Sequence, residues 1–485
     1  MSKVNNKIHS IKYNFIMNFL LKISGMLFPL ITYPYVSRIL MPEGIGKISF
    51  ASSIIAYFSM FAVLGVPTYG VKAAARVRDD KEALSRVVHE LLFIMLVMST
   101  TVYVVLGLSL SLIDKFESNK VIILVTSLQI ILNVIGVDWL YSGLEQYTYI
   151  TVRSIIFKFI GMLLMFLLVK EKDDVIVYAA ITVFATYGSY LLNFVRLRKF
   201  ISLKLLGNYN IKRHIKPMLT FFAISIAVSI YTNLDTAMLG FMRTDYDVGI
   251  YNTAVKIKTI LVTLVASLGT VLLPRLSYYL AHNNVDEFNK SIKKSINVVL
   301  FITIPIVVFF EIFCGESILF LSGDGFLDAI VPMRLLLFNV ILSALANITG
   351  MQILIPSNKE KVYLCGVVSG AVLDFMLNMI LIPRVGVIGA AIATVFAELS
   401  GLLIQIVYLK EYLIKSAELN NILQVILCSI IAVSAAIFVK RMNIDTIVIK
   451  LALGAIAYFF TYIILMLIAK NKIVTEIYRG ISKKL

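Results

Sequence analysis

Six ionisable side chains stand inside or beside long apolar runs: Lys22, Arg38 and Lys256, and Asp235, Asp374 and Glu398. A charge at the centre of a membrane helix costs about 2.5 to 3.5 kcal/mol on insertion scales, so a residue kept there usually lines a cavity or an ion path. Snorkelling toward a helix end is the competing explanation. Depth and helical face separate the two. At helical spacing, Asn252, Lys256, Thr259, Thr263, Ser267 and Thr270 form one continuous polar face. Lys258 points elsewhere, among Ala254, Leu261, Val262 and Val265, because residues two apart do not share a face. The same spacing joins Asn14, Asn18, Lys22, Gly25, Pro29 and Thr32, then Gly366, Gly370, Asp374 and Asn378, and then Thr394, Glu398, Gly401 and Gln405.

The chemistry of these stripes is binding. Fixed ammonium groups attract an anion, and the amides and hydroxyls of Asn18, Asn252, Thr259, Thr263, Asn378 and Gln405 can solvate a polyhydroxylated head. Asp374 and Glu398 could titrate or hold a cation, or could pair with Lys22 or Lys256 as structural salt bridges. Asp235, beside Asn233 and Thr232, joins them as an ion-coupling group. Lys158 and Arg334 fall within a turn or so of predicted helix ends and are expected to snorkel. No phosphate-cradling GxxxxGK[ST] loop, HExxH or CxxC pair occurs, and the His residues at 9, 89, 214 and 282 are scattered. Cys314, Cys365 and Cys428 all fall within predicted helices, which excludes a disulfide framework or a zinc spacing. Neither catalysis nor a metal or other cofactor is implied.

The elements that position these residues are membrane helices. The 485 residues are 59% hydrophobic and 15% charged, with a mean hydropathy of +0.90, too apolar for an ordinary soluble protein. Runs of about 18 to 23 apolar residues, each able to cross a bilayer core, recur along the chain. Only helices or closed barrels satisfy their backbone in lipid, and barrel strands would alternate polar with apolar. The basic N-terminus leads into a run that contains Lys22 and lacks a small-x-small site, so a retained helix is expected and not a cleaved signal. About fourteen spans result, beginning at roughly 13–34, 47–66, 91–113, 121–140 and 154–169. The formal charge of +17 lies mostly in the loops. Alternate loops carry about 29 and about 10 Lys and Arg residues, which puts both termini in the cytoplasm. No nucleic-acid partner is needed to explain the charge.

The basic stretch RLRKFISLKLLGNYNIKRHIK divides the chain after six helices. The expected lobes are 1–206 and 207–415, with two further helices and a cytoplasmic tail in 416–485. The stretch YPYVSRILMPEGIGKISFASSI is echoed after the divide by LDTAMLGFMRTDYDVGIYNTAVKI. Arg38, Leu40, Gly46 and Ser49 in the first match Asp235, Leu239, Gly249 and Thr253 in the second. Such an internal repeat marks many transporters. The proline and glycines suit a tight turn between the first two helices, with Arg38 at the outer mouth as a gate or head-group ligand.

SRILMPEGIGKISFA, VDWLYSGLEQYTYITVRSIIFK, LDTAMLGFMRTDYDVGIYNTAVKI and LNMILIPRVGVIGAAIATVFAE together resemble bacterial oligosaccharide repeat-unit flippases. These are the polysaccharide exporters of the superfamily that also holds multidrug and toxin extrusion antiporters and the lipid II flippase. The resemblance implies two six-helix lobes and two added helices in the cytoplasmic membrane. It implies as cargo an undecaprenyl-diphosphate-linked oligosaccharide for O-antigen, capsule or a related polymer, with Lys22, Arg38 and Lys256 matching the family's cationic cavity residues. Membrane lipids, a polysaccharide polymerase and glycosyltransferases are the expected partners, and the default oligomeric state is a monomer. A multidrug cation antiporter is the first alternative, although a lysine-lined cavity would repel organic cations. A membrane scaffold that transports nothing is the second.

Overall fold

The computed structural model describes residues 10–475 apart from 283, 417 and 472. Among these residues the chain is all helical. It opens with α1 (Ile11–Val63), α2 (Val66–Arg76), α3 (Lys81–Leu112), α4 (Asp114–Ser118), α5 (Lys120–Gly136) and α6 (Asp138–Gly143). Then come α7 (Tyr147–Leu168), α8 (Val175–Val183) and α9 (Tyr190–Leu197), the last two joined by a π-helical turn, and α10 (Lys212–Met242). They are followed by α11 (Asp245–Ala281), α12 (Val285–Ile312), α13 (Cys314–Leu321) and α14 (Ile330–Asn347). The chain closes with α15 (Glu360–Val385), α16 (Val387–Ser416), α17 (Leu419–Arg441) and α18 (Ile447–Ile468).

Twelve of the described helical stretches are long and apolar enough to cross a membrane. The difference from the expected fourteen arises in two places. Residues 13–34 and 47–66, read from the sequence as two helices and a turn, fall in one continuous stretch, Tyr13–Arg76. Within it only Met41 (φ 57°, ψ 176°) interrupts α1, and Pro42 follows as a residue suited to start a helix but not to continue one. The expected tight turn is thus a single left-handed residue. The second place is α5, which at 17 residues is short for a span. Large apolar side chains exposed along the helices, such as Leu167, Phe438, Ile456, Phe460 and Ile468, present the surface that lipid covers. The chain is a multi-pass membrane protein.

Several helices outrun their apolar cores because polar caps start them early. Asp80 accepts hydrogen bonds from the backbone N–H groups of Glu82 and Ala83 at 2.9 and 3.1 Å, so α3 begins ten residues before the span read from hydropathy. Asn284 caps α12 in the same way through Glu287 N–H at 3.3 Å.

The chain forms two compact units, Met1–Gly249 and Ile250–Leu485. The first is centred on buried Val66, Leu84, Leu91, Met95, Trp139 and Tyr141. The VDWLYSGLEQYTYITVRS segment builds a polar brace there. Asp138 pairs with buried Arg153, whose guanidinium also donates to Ser189 Oγ at 2.9 Å and stacks over Tyr190. Tyr141 and Asn193 tie the brace to main-chain carbonyls at 2.7 Å. In the same unit the two glycines of the internal echo meet. A Cβ on Gly46 would lie 1.7 Å from the Asp245 carbonyl oxygen, and one on Gly249 would lie 1.9 Å from that of Pro42. Each glycine therefore passes the main chain just before the other, an approach that no side chain permits.

The second unit has one apolar cluster around Phe288, Ile292, Leu354 and Leu409. Another, around Phe309, Phe313, Tyr458 and Tyr462, seats α17 and α18 on α12.

Candidate functional site

In the first unit, α1 carries its polar stripe at graded exposure. Asn14 is buried and donates to Glu145 Oε2 at 3.2 Å, while Glu145 also holds Arg78 at 2.7 Å. Asn18 is half-buried and Lys22 is exposed. Among the described residues of the first unit no carboxylate pairs with Lys22. Arg38 is exposed, and its guanidinium donates back to the Pro34 carbonyl. Asp235 and Thr236 are buried near the end of α10. A recess of about 700 Å³ opens on the first turns of α10, lined by Lys212, Ile215, Lys216, Leu219 and Thr220. None of the residues singled out from the sequence lines it.

The seam between α1 and α7 runs in one register. Thr151 Oγ1 donates to Met17 O at 2.9 Å, Lys158 Nζ to Ser24 Oγ at 3.1 Å, and Tyr35 Oη to Val169 O at 2.9 Å, each pair 134 residues apart. A constant offset means two parallel helices, touching at intervals of about two and three turns. Lys158 lies midway between Tyr147 and Leu168, so the expectation that it snorkels from a helix end is corrected. Tyr147, Tyr149 and Arg153 lower the hydropathy of the first turns and concealed the true start of α7. Arg334, by contrast, does lie in the first turns of α14 with its side chain exposed.

In the second unit the polar and apolar faces of α11 separate as their spacing predicts. Ala254, Ile257, Leu261 and Val265 are buried, whereas Asn252, Lys256 and Thr263 are half-buried and Thr259 is exposed. Thr259 and Thr263 each donate to the carbonyl one turn back, at 2.8 and 2.7 Å. The side chains of Ser267 and Thr270, which extend the stripe, lie outside the described ones. Lys258 is half-buried on the packed side.

The carboxylates occupy the α15–α16 hairpin. A Cβ on Gly366 would approach Gly401 O to 2.9 Å, and one on Gly370 would approach Ala397 O to the same distance. This register sets Asp374 opposite the Thr394 turn. Asp374, Asn378 and Thr394 are all buried, and Tyr251 Oη lies 2.9 Å from Thr394 Oγ1. Glu398 is half-buried on α16, and among the described residues it forms no salt bridge. Gln405 is buried and bonded to Thr349, which places it against the π-helical segment Ile348–Leu354 that follows α14.

Long apolar helices, polar faces that interrupt them and a hairpin that buries Asp374 make up the described chain. The sequence pattern of one family, described as polysaccharide biosynthesis protein, matches residues 11–280, more than half of the chain. The chain belongs to that family. A protein of Escherichia coli K12 named "Putative O-antigen transporter" is 26% identical over 397 residues, covering 81% of this chain and 95% of its own. Among solved structures, lipid II flippase MurJ in an inward closed conformation superposes with a TM-score of 0.70 at 18% identity, covering 94% of this chain and 98% of its own. An inward-facing multidrug resistance MATE family transporter superposes with a TM-score of 0.59 at 15% identity, covering 83% of this chain and all of its own. At these identities the structural likeness establishes the fold. These relatives are transporters and a flippase by their names, not enzymes.

Within that fold, the structure brings Asn18 and Lys22 onto one open face of α1. It brings Asn252, Lys256, Thr259 and Thr263 onto one face of α11, and Asp374 and Asn378 into the hairpin beside Thr394. Lys158 is the residue that sequence reasoning set aside. Its signal was the seven-residue spacing of Thr151, Lys158 and buried Met165, a packed helical stripe with a lysine in its middle.

Proposed function

We propose that this protein is a flippase that carries undecaprenyl-diphosphate-linked oligosaccharide repeat units from the inner to the outer leaflet by alternating access. The observation that best supports this reading is that Lys256 lies on a polar face of α11 whose apolar face packs, and that Lys22 lies on the polar stripe of α1. A diphosphate carries about two negative charges, and moving them through hydrocarbon without partners is prohibitive. Ammonium groups answer the charge, the neighbouring hydroxyls and amides answer the sugar, and the lipid tail stays in the bilayer. Arg38 serves as a gate or head-group contact. The proposed topology has fourteen crossings with α1 and α5 counted as three, lobes 1–206 and 207–415, and both termini in the cytoplasm.

With the inside negative, outward movement of the head gains roughly 2.3 kcal/mol per charge per 100 mV. Inward passage of H⁺ or Na⁺ on Asp235, Asp374 and Glu398 adds to that drive. The similarity to a MATE transporter fold keeps multidrug cation export as a second reading, and the lysines on the polar faces weigh against it.

Deleting the gene should trap lipid-linked oligosaccharide on the inner leaflet, and the wild-type gene should clear it while Lys22→Ala and Lys256→Ala do not. An unchanged lipid pool after deletion would refute the flippase reading. Dye efflux lost in the same strain would favour the antiporter.

A further inference from the structure

We infer that Lys158 is a second anion ligand of the first unit, delivered by α7 through the gap at Gly25 onto the polar face of α1 that carries Asn18 and Lys22. This inference rests on the flippase reading and extends its binding site to a residue on another helix. The geometry is specific. Lys158 Nζ donates to Ser24 Oγ at 3.1 Å, and the Ser24 hydroxyl spends its own hydrogen on Leu21 O at 2.7 Å. A Cβ placed on Gly25 would meet only Lys158 Nζ, at 3.7 Å. The ammonium group therefore lies at the one point of the stripe that has no side chain, and Gly25 is itself exposed. Gly25 is three residues from Lys22, on the same side of the helix, so two helices supply two cations to one surface.

Among the described residues no carboxylate pairs with either of them. The part of α1 before Met41, α7 and α8 contain no Asp or Glu, and among the described residues the only polar partner of Lys158 is the Ser24 hydroxyl. A neutral hydroxyl does not compensate a mid-helix ammonium, which in membrane helices marks a functional position. An ammonium has three donors and Ser24 uses one, leaving two for an anionic oxygen. Two ammonium groups on one face match the two phosphates of a diphosphate better than one phosphate or a carboxylate. A lysine that served only packing would be as well served by Met or Leu, which fill the seam without a charge.

The test uses the full-length protein in detergent and farnesyl diphosphate as the probe, with farnesol as the uncharged control. Wild type should bind the diphosphate and not the alcohol. Lys158→Met should weaken diphosphate binding about tenfold or more, the scale of one lost charge-assisted hydrogen bond. Lys158→Arg should restore most of it. Gly25→Leu keeps both lysines but covers the ammonium, and it should weaken binding comparably with a normal melting transition. It therefore carries the test if Lys158→Met fails to fold. Undiminished binding by a cooperatively melting Lys158→Met or Gly25→Leu overturns the Lys158 inference and leaves the flippase reading intact. Failure of wild type to prefer the diphosphate overturns both.

Discussion

The α1 stripe and the α15–α16 hairpin use glycine and charge in opposite ways. At Gly370 the helices approach so closely that an added Cβ would sit 2.9 Å from a carbonyl oxygen, and the adjacent carboxylate, Asp374, is buried. At Gly25 the added atom would meet nothing but a lysine ammonium, and the adjacent cation, Lys22, is exposed. One glycine closes a seam and the other opens a window. A carboxylate sealed between packed helices suits a small ion or a proton, because little else fits. An exposed cation suits a large anion that arrives and leaves.

The sharpest way to break this comparison is to fill both glycines. Gly370→Leu should force α15 and α16 apart and cost about 3 kcal/mol, read as a large fall in melting temperature. Gly25→Leu should leave the melting temperature nearly unchanged. Equal destabilisation would show that the α1 stripe is packed after all. The next effect separates two lysines on one helix. Lys256→Ala should lower transport about tenfold or more with little change in melting, whereas Lys258→Ala, on the packed face, should cost about 1 kcal/mol of stability through its lost stem and leave transport largely intact. The carboxylates come third. Asp374→Asn should remove the response of flipping in vesicles to an imposed H⁺ or Na⁺ gradient, and Glu398→Gln should reduce it. If both variants keep the full response, ion coupling through this hairpin is wrong. The smallest effect is expected for Arg78→Ala in the turn between α2 and α3. Its bond to Glu145 joins side chains that are each about one-third exposed, so the stability change should stay below about 1 kcal/mol.

Much of this was legible in the sequence because membrane helices are written in hydropathy and helical period. The faces of α11 follow directly from the spacing of Asn252, Lys256, Thr259 and Thr263 against Ala254, Leu261 and Val265. The depth of Lys158 was not legible. The start of α7 depends on Tyr147, Tyr149 and Arg153, which are polar enough to look like a loop; yet Tyr147 packs half-buried against the first core, and Tyr149 and Arg153 are stacked by α6 and α9. Gln405 illustrates the same limit. Its stripe with Glu398 was visible, but its burial against Thr349 depends on the π-helical segment after α14, 56 residues back in the chain.

Composition and periodicity alone determined that this protein is a bundle of membrane helices with cationic and acidic faces, because insertion cost and the 3.6-residue turn act locally along the chain. Only tertiary structure decided which of those faces are sealed and which are open. That depends on how closely two helices approach, and the approach is set by glycines such as Gly46, Gly249 and Gly370 meeting backbone that is distant in sequence. It also decided that Lys158 belongs to the α1 face, because the parallel register of α1 and α7 is a relation between two segments that neither segment carries by itself.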